Sequence, residues 1–304
     1  MRETSRLLWG VSVLRSAAMG VRSLGYVRLT ALDVAQWQRF AGGFLGMMAT
    51  EARDDGSVRF RMDDYSARLV VSPGDEPALA AMGLEVTDRA ELAGMVDTLR
   101  AEGVEVREGS AEEARERDVT SFVSLSDPSG NPIELYYGPR LARRAVVTPG
   151  VSGFVTGDMG MGHLIVSVGD IEVAHDFYTR LLGFVERNTM ARGQVVFMGC
   201  NPRHHTLGIN QQEGRGRLMH LMVEARTLDD VGTAMDRARD LEIPMMLSLG
   251  RHTNDKMVSF YVYSPEYYAV EFGYDGLRVE GHEPTYEISS GEYWGHHFSP
   301  PPES

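Results

Sequence analysis

An α+β protein made by tandem duplication is what this sequence predicts, each half holding two strand–helix–multistrand units. Three observations carry that reading. Motifs recur at one fixed separation, the segments between turns run in the same order in both copies, and the residues joining the copies break both patterns. Leu24-Gly25-Tyr26-Val27 returns as Met161-Gly162-His163-Leu164, 137 positions later (161 − 24). The same separation carries Phe40 to Phe177, Leu45-Gly46-Met47 to Leu182-Gly183-Phe184, Asp127-Pro128 to Ser264-Pro265, and Glu134 to Glu271. In the middle, Leu84-Glu85-Val86 meets Val223-Glu224-Ala225 at 139 positions (223 − 84), a slip of two.

Taken in order, strands are expected at residues 25–31 and 162–168, each leading through an Asp-containing turn into an amphipathic helix. Strand pairs follow at 58–62 with 67–71, and at 195–199 with 206–210. A second cycle opens at Met82 or His220 and carries helices over 89–102 and 228–241. It closes in hairpin-like pairs, 120–126 with 132–137 and 257–263 with 269–274, whose turns begin at Asp127-Pro128 and Ser264-Pro265. Pro139, Arg143, Arg144, Pro149 and Gly150 interrupt the pattern. The expected division is an extension (1–21), a non-catalytic domain (22–140), a metal-binding catalytic domain (151–278) and a partly disordered tail (279–304).

Bulk properties narrow the function. With 43% hydrophobic and 24% charged residues, 304 residues can bury two ordinary cores. A net charge of −13 argues against a nucleic-acid partner, which needs clustered cations. Cys200 is the single cysteine, so no intrachain disulfide can form, and a reducing cytoplasm is the expected location. No apolar run is long enough to cross a bilayer, and the patch at residues 7–14, between Arg6 and Arg15, is short for a signal peptide.

The two copies differ where it matters chemically. His163 stands where the first copy has Tyr26, and His220 where it has Ala81, whereas Glu271 keeps a counterpart in Glu134. Glu271 alternates with Val270 and Phe272, so it faces away from the side those residues pack against. One histidine alone would most simply be a hydrogen-bonded core residue. Two imidazoles and a carboxylate placed by the repeat point to a metal, and that donor set suits non-haem iron(II) and oxygen chemistry.

With these residues in place, the chain from about Met19 to His297 resembles the type I extradiol dioxygenases of the vicinal oxygen chelate superfamily, notably the 2,3-dihydroxybiphenyl 1,2-dioxygenases. Met161-Gly-His163, Asn201-Pro-Arg-His-His-Thr206, Gly250-Arg-His-Thr-Asn-Asp255, Met257-Val-Ser-Phe-Tyr261, Val270-Glu-Phe-Gly273 and Trp294-Gly-His296 carry the likeness. It implies paired βαβββ units in two open barrel-like domains, the glyoxalase-like fold. It implies His163, His220 and Glu271 as metal ligands, and His205 as an acid–base residue beside dioxygen. His252 and Tyr261 are then catalytic partners of the substrate oxygens, with Asn254, Asp255 and Phe197 binding substrate. Iron(II), less readily manganese(II), is the implied cofactor. Dioxygen is the co-substrate, a catechol of bicyclic type the substrate, and a homo-oligomer the assembly. A glyoxalase-type isomerase and a non-catalytic small-molecule binder are the rival readings.

The chain departs from the family in one respect: the stretch between Phe184 and Val195 is short where several members line the substrate cavity. Among other residues, His175, His282 and His297 are expected to be solvated, and His204 to point away from His205. Trp294 and His296 are read as packing over the site, Cys200 as a buried apolar residue, and Tyr26 as filler of a vestigial cavity.

Overall fold

The computed structural model describes residues 20–214, 216–281 and 285–302. The expected extension up to residue 19, and His282, lie outside the described residues. The first half contains β1 (Ser23–Ala31), α1 (Val34–Trp37), β2 (Met48–Ala49), β3 (Val58–Arg61), β4 (Leu69–Pro73) and β5 (Ala78–Glu85). It continues through α2 (Arg89–Ala101), β6 (Arg107–Glu108), α3 (Ala111–Glu116), β7 (Val119–Ser126) and β8 (Pro132–Pro139). The second half contains β9 (His163–Val168), α4 (Ile171–Asp176), β10 (Val185–Met190), β11 (Val195–Gly199), β12 (Leu207–Gln211) and β13 (Leu218–Glu224). Then come α5 (Leu228–Asp240), β14 (Met245–His252), β15 (Val258–Tyr263), β16 (Ala269–Tyr274), β17 (Tyr286–Ile288) and β18 (Glu292–Trp294).

Each half is a pair of βαβββ units, and the sheet order shows how they join. The first sheet runs β2-β3-β4-β1-β5-β8-β7-β6, and the second β17-β10-β11-β12-β9-β13-β16-β15-β14-β18. Within a unit the first and last strands pair in parallel, β1 with β4 and β9 with β12. The units meet through antiparallel first strands, β1 with β5 and β9 with β13. The Asp-containing turns are N-caps: Asp33 and Asp170 accept from the backbone of α1 and α4, which relieves their unpaired first-turn N–H groups. Both helices then loosen into a π-helical turn, over Gln38–Phe44 and Phe177–Leu181, a shared irregularity that the amphipathic pattern does not show.

One apolar cluster fuses the halves. Phe44 of the first half packs edge-on against Phe260 of β15, with centroids 6.2 Å apart. Trp37 Nε1 donates to Glu266 at 2.6 Å, and Tyr178 OH to Asp127 at 2.9 Å. Cys200 donates to Thr206 Oγ1 at 3.4 Å, and burial pushes its thiol up to about 12. No helix among the described residues is long and apolar enough to cross a membrane.

Four expectations need correction. In its described residues the segment after Gly276 is no loose tail: β17 pairs with β10 and β18 with β14, because both sheet edges offer unpaired backbone groups. His175 is half-buried, because its Nε2 lies 2.8 Å from the Glu186 carboxylate on β10. His204 packs against His205 because the chain bends there and is not extended. His297 is exposed as expected and His296 is buried, but Trp294, read as packing over the site, is half exposed, because β18 is an edge strand that pairs only with β14.

The first half shows what a cation does for this fold. Tyr26, Gly83 and Glu134 stand in one row across β1, β5 and β8, the counterpart of His163, Met222 and Glu271 across β9, β13 and β16. Ala81 lies opposite Arg28 as His220 lies opposite Ile165, so the pairing of Ala81 with His220 holds in the strand register. Tyr26 OH donates to Glu134 Oε2 at 2.5 Å, and Arg117 donates through Nε and Nη2 to Oε1 at 2.8 and 2.6 Å. A guanidinium compensates the buried carboxylate there. A cavity beside Tyr26 measures about 10 Å³, so the ring leaves little space there.

Candidate metal centre

His163 opens β9 directly after Gly162, whose φ is +153° and whose added Cβ would lie 1.9 Å from the Met222 carbonyl oxygen. Only glycine lets the chain enter β9 so close to β13. The register then slips between Leu218 and His220. As a result Leu218 joins Val166 in the core, whereas His220 faces inward beside Ile165. On β16, Val270 and Phe272 are fully buried in the core and Glu271 projects to the opposite face. Three distant segments thus deliver three donors to one point.

Those donors form a tight triangle. His163 Nε2 and His220 Nε2 are 2.8 Å apart, and they stand 3.3 and 3.1 Å from Glu271 Oε2. Donors about 2.0–2.2 Å from one cation and mutually at right angles lie about 3 Å apart, so the set fits a two-histidine, one-carboxylate facial site. Glu271 Oε1 is buried without a hydrogen bond, which also fits a site built for a cation. Two other groupings come close, His163 with His205 and Asp255, and His252 with Glu292 and His296. They fit less well. His205 Nδ1 is 3.9 Å from Asp255, and both nitrogens of His252 already have partners.

Electrostatics agree with ligation. Burial works to raise the Glu271 carboxyl, yet the imidazoles of His163, His220 and His252 around it outweigh burial and hold the group well below the usual carboxylate range. Burial lowers His163 to about 4, which keeps its lone pair free for a metal. Burial also holds His205 well below the usual histidine range. His252 behaves oppositely: burial lowers it, but the Glu271 carboxylate 3.5 Å from Nε2 lifts it to about 9. Burial and the Glu271 charge raise Tyr261 well above the usual phenol value, so it remains a donor.

Around the triangle lies a cavity of about 280 Å³, and all nine residues singled out from the sequence line it. The His205 ring leans over His163 with centroids 3.9 Å apart, and Phe197 meets His205 edge-on at 4.9 Å. His252 Nε2 is 2.8 Å from Tyr261 OH, which in turn stands across the strand pair from Glu271. Asn254 and Asp255 are both buried in the turn beyond β14.

Sequence reasoning missed two supports. Asn188 Oδ1 holds His204 Nε2 at 2.7 Å, and His204 Nδ1 is 3.1 Å from His205 Nδ1, so a chain of contacts fixes the His205 ring. The adjacent histidine pair was the available signal. The second support is the C-terminal segment. Residues 289–291 alone separate β17 from β18, so this strap ties the two edges of the second sheet together across the cavity. Its Gly291 carbonyl accepts from His252 Nδ1 at 3.2 Å, and His296 lies on the His252 ring with centroids 4.2 Å apart. Gly250 makes room, since a Cβ there would come within 2.5 Å of His296. The strap also answers the short 184–195 stretch: Met190, Phe197 and Ile288 pack together as the apolar wall.

Comparison with known proteins bears on this geometry. Residues 24–74 match the family model for the dihydroxybiphenyl dioxygenase BphC D1 domain, and residues 160–272 match the glyoxalase/bleomycin resistance protein/dioxygenase superfamily. The iron-dependent extradiol dioxygenase of Rhodococcus jostii (strain RHA1) is 39% identical over 295 residues, covering 92% of this chain and 98% of that protein. The chain belongs to the extradiol dioxygenase family. Within it, the biphenyl-2,3-diol 1,2-dioxygenase of Paraburkholderia xenovorans (strain LB400) is 41% identical over 91% of this chain and 96% of its own. The crystal structure of a halotolerant catechol dioxygenase superposes with a TM-score of 0.88 at 34% identity, over 92% of this chain and 96% of that one. A manganese(II)-bound glyoxalase from Novosphingobium aromaticivorans shares the fold with a TM-score of 0.81 at 17% identity, covering 94% and 96% of the two chains. For an extradiol dioxygenase the architecture alone is therefore not diagnostic; the side chains in the cavity are.

Proposed function

We propose that this chain is an iron(II)-dependent extradiol dioxygenase that opens a bicyclic catechol beside its two hydroxyls, with the second half catalytic and the first half not. The observation that carries the reading is the triangle of His163, His220 and Glu271 at the base of a cavity that also presents His205, His252 and Tyr261. Iron(II) held there supplies Lewis acidity toward the catechol oxygens and one-electron chemistry toward dioxygen. Manganese(II) fits the same donors and is the second choice.

The side chains do the rest. Tyr261 OH, seated by His252, donates to a catechol oxyanion. His205, kept neutral by burial, takes and returns a proton at Nε2 while Nδ1 rests against His204. Phe197 and Met190 exclude water from the reacting face. A cavity of about 280 Å³ sits just below the range of about 300–1,000 Å³ usual for small-molecule sites, which favours one or two rings over a polycyclic skeleton. Family likeness further supports a homo-oligomer in the cytoplasm.

The deciding experiment is oxygen uptake by protein loaded anaerobically with iron(II) and given 2,3-dihydroxybiphenyl, while the spectrum is followed for a yellow ring-opened product. Equimolar uptake with yellow product is expected. An isomerase of this fold would instead turn over without consuming oxygen and with a redox-inactive metal. A variant sharpens the assignment of roles: His205→Phe is expected to keep its iron and to lose about 10²- to 10⁴-fold in kcat, the usual share of a general acid–base. Iron loss in that variant, measured by metal analysis, would place His205 among the ligands instead.

A further inference from the structure

A second and larger cavity, about 640 Å³, lies in the cleft between the two halves. Its walls come from the start of β5 (Ala78, Leu79), the β7–β8 turn, the start of β13 and the turn into β16 (Tyr267, Tyr268). Three residues, Met219, Met246 and Ala269, line both this cleft and the catalytic cavity. These three residues form a boundary that the two spaces share. The rest of the catalytic lining comes from the strap, from β9 to β16 and from the turn that holds Asn254 and Asp255.

We propose that the cleft is the antechamber of the active site, and that Met219 and Met246 form its inner gate, through which the catechol enters and the ring-opened acid leaves. Methionine suits a gate because its unbranched side chain changes rotamer without moving backbone. Both methionines are only half-buried, and Ala269 between them adds no bulk. The outer space matches both passengers. Its apolar area, from Leu79 and the two tyrosines, receives an aromatic ring, while Arg217 at its wall offers a cation to the carboxylate formed by ring opening. The first half thereby gains a role without a metal, since it supplies one side of the passage.

This inference rests on the ring-cleavage reading, so its test must separate the two. Ala78 is exposed, lines the cleft and belongs to no part of the catalytic machinery. Ala78→Cys would be labelled anaerobically with a fluorescein-bearing methanethiosulfonate and then released with reductant. Wild type treated in the same way controls for Cys200, and labelled Glu112→Cys, exposed on α3, controls for the dye. Labelling at position 78 is expected to lower kcat/KM for 2,3-dihydroxybiphenyl by about tenfold or more, with bound iron and the KM for oxygen unchanged, and reduction to restore it. Labelled protein that turns over as fast as unlabelled protein overturns the antechamber. A loss that reduction does not reverse, or that the Glu112→Cys label reproduces, overturns it too. No oxygen uptake by the unlabelled variant and the wild type with any catechol would overturn the ring-cleavage reading itself.

Discussion

His220→Ala is expected to yield a folded protein that purifies without iron and consumes no oxygen with any catechol. The prediction rests on the triangle: two donors 3.3 Å apart, His163 Nε2 and Glu271 Oε2, remain when His220 is removed. Residues that merely support metal ligands typically cost about 10- to 100-fold in affinity, so deleting a direct donor should cost more than about 100-fold. Turnover then falls with occupancy. The fold should survive, because the first half already carries Ala81 at the same place in the strand register. Metal analysis and circular dichroism on the purified variant decide the matter. Full iron with normal activity would remove His220 from the site.

Arg117→Ala is expected to destabilise the first half by about 3–5 kcal/mol, the usual cost of stranding one member of a buried ion pair. Arg117 and Glu134 have side chains only 11% and 6% exposed, so solvent cannot take over the lost charge. Tyr26 alone would face a buried carboxylate. Adding Glu134→Gln to the variant should recover part of the loss, since it removes the stranded charge. Chemical denaturation of wild type and both variants measures the effect. A loss below about 1 kcal/mol would mean that the pair behaves as an exposed one, and that Arg117 is not the cation replacing a metal.

Much of the site was legible in the sequence because the duplication acts as an internal control. A histidine facing a tyrosine and another facing an alanine, with a shared glutamate, single out three residues whose burial alone would not distinguish them from core polar groups. Alternation placed Glu271 correctly, since Val270 and Phe272 do fill the core. The same local logic failed at His204, which was expected to point away, because alternation presumes extended chain and the segment bends before β12. It failed again after Gly276. Short, polar, glycine-containing segments carry no hydrophobic period, yet open sheet edges can recruit them through backbone bonds that leave no mark on side-chain pattern.

By itself, then, the sequence determined the duplicated βαβββ plan, the absence of two histidine donors from the first copy and the identity of the residues in the second that converge at one point. Periodicity and repeat spacing are local properties, and they survive without knowledge of what lies across the sheet. Tertiary structure alone decided how wide the cavity is, that the C-terminal strap ties its edges and seats His252, and that methionines separate it from an interdomain cleft. Those features depend on which distant segments come together, and the packing of a closed core, not any short stretch of chain, sets that.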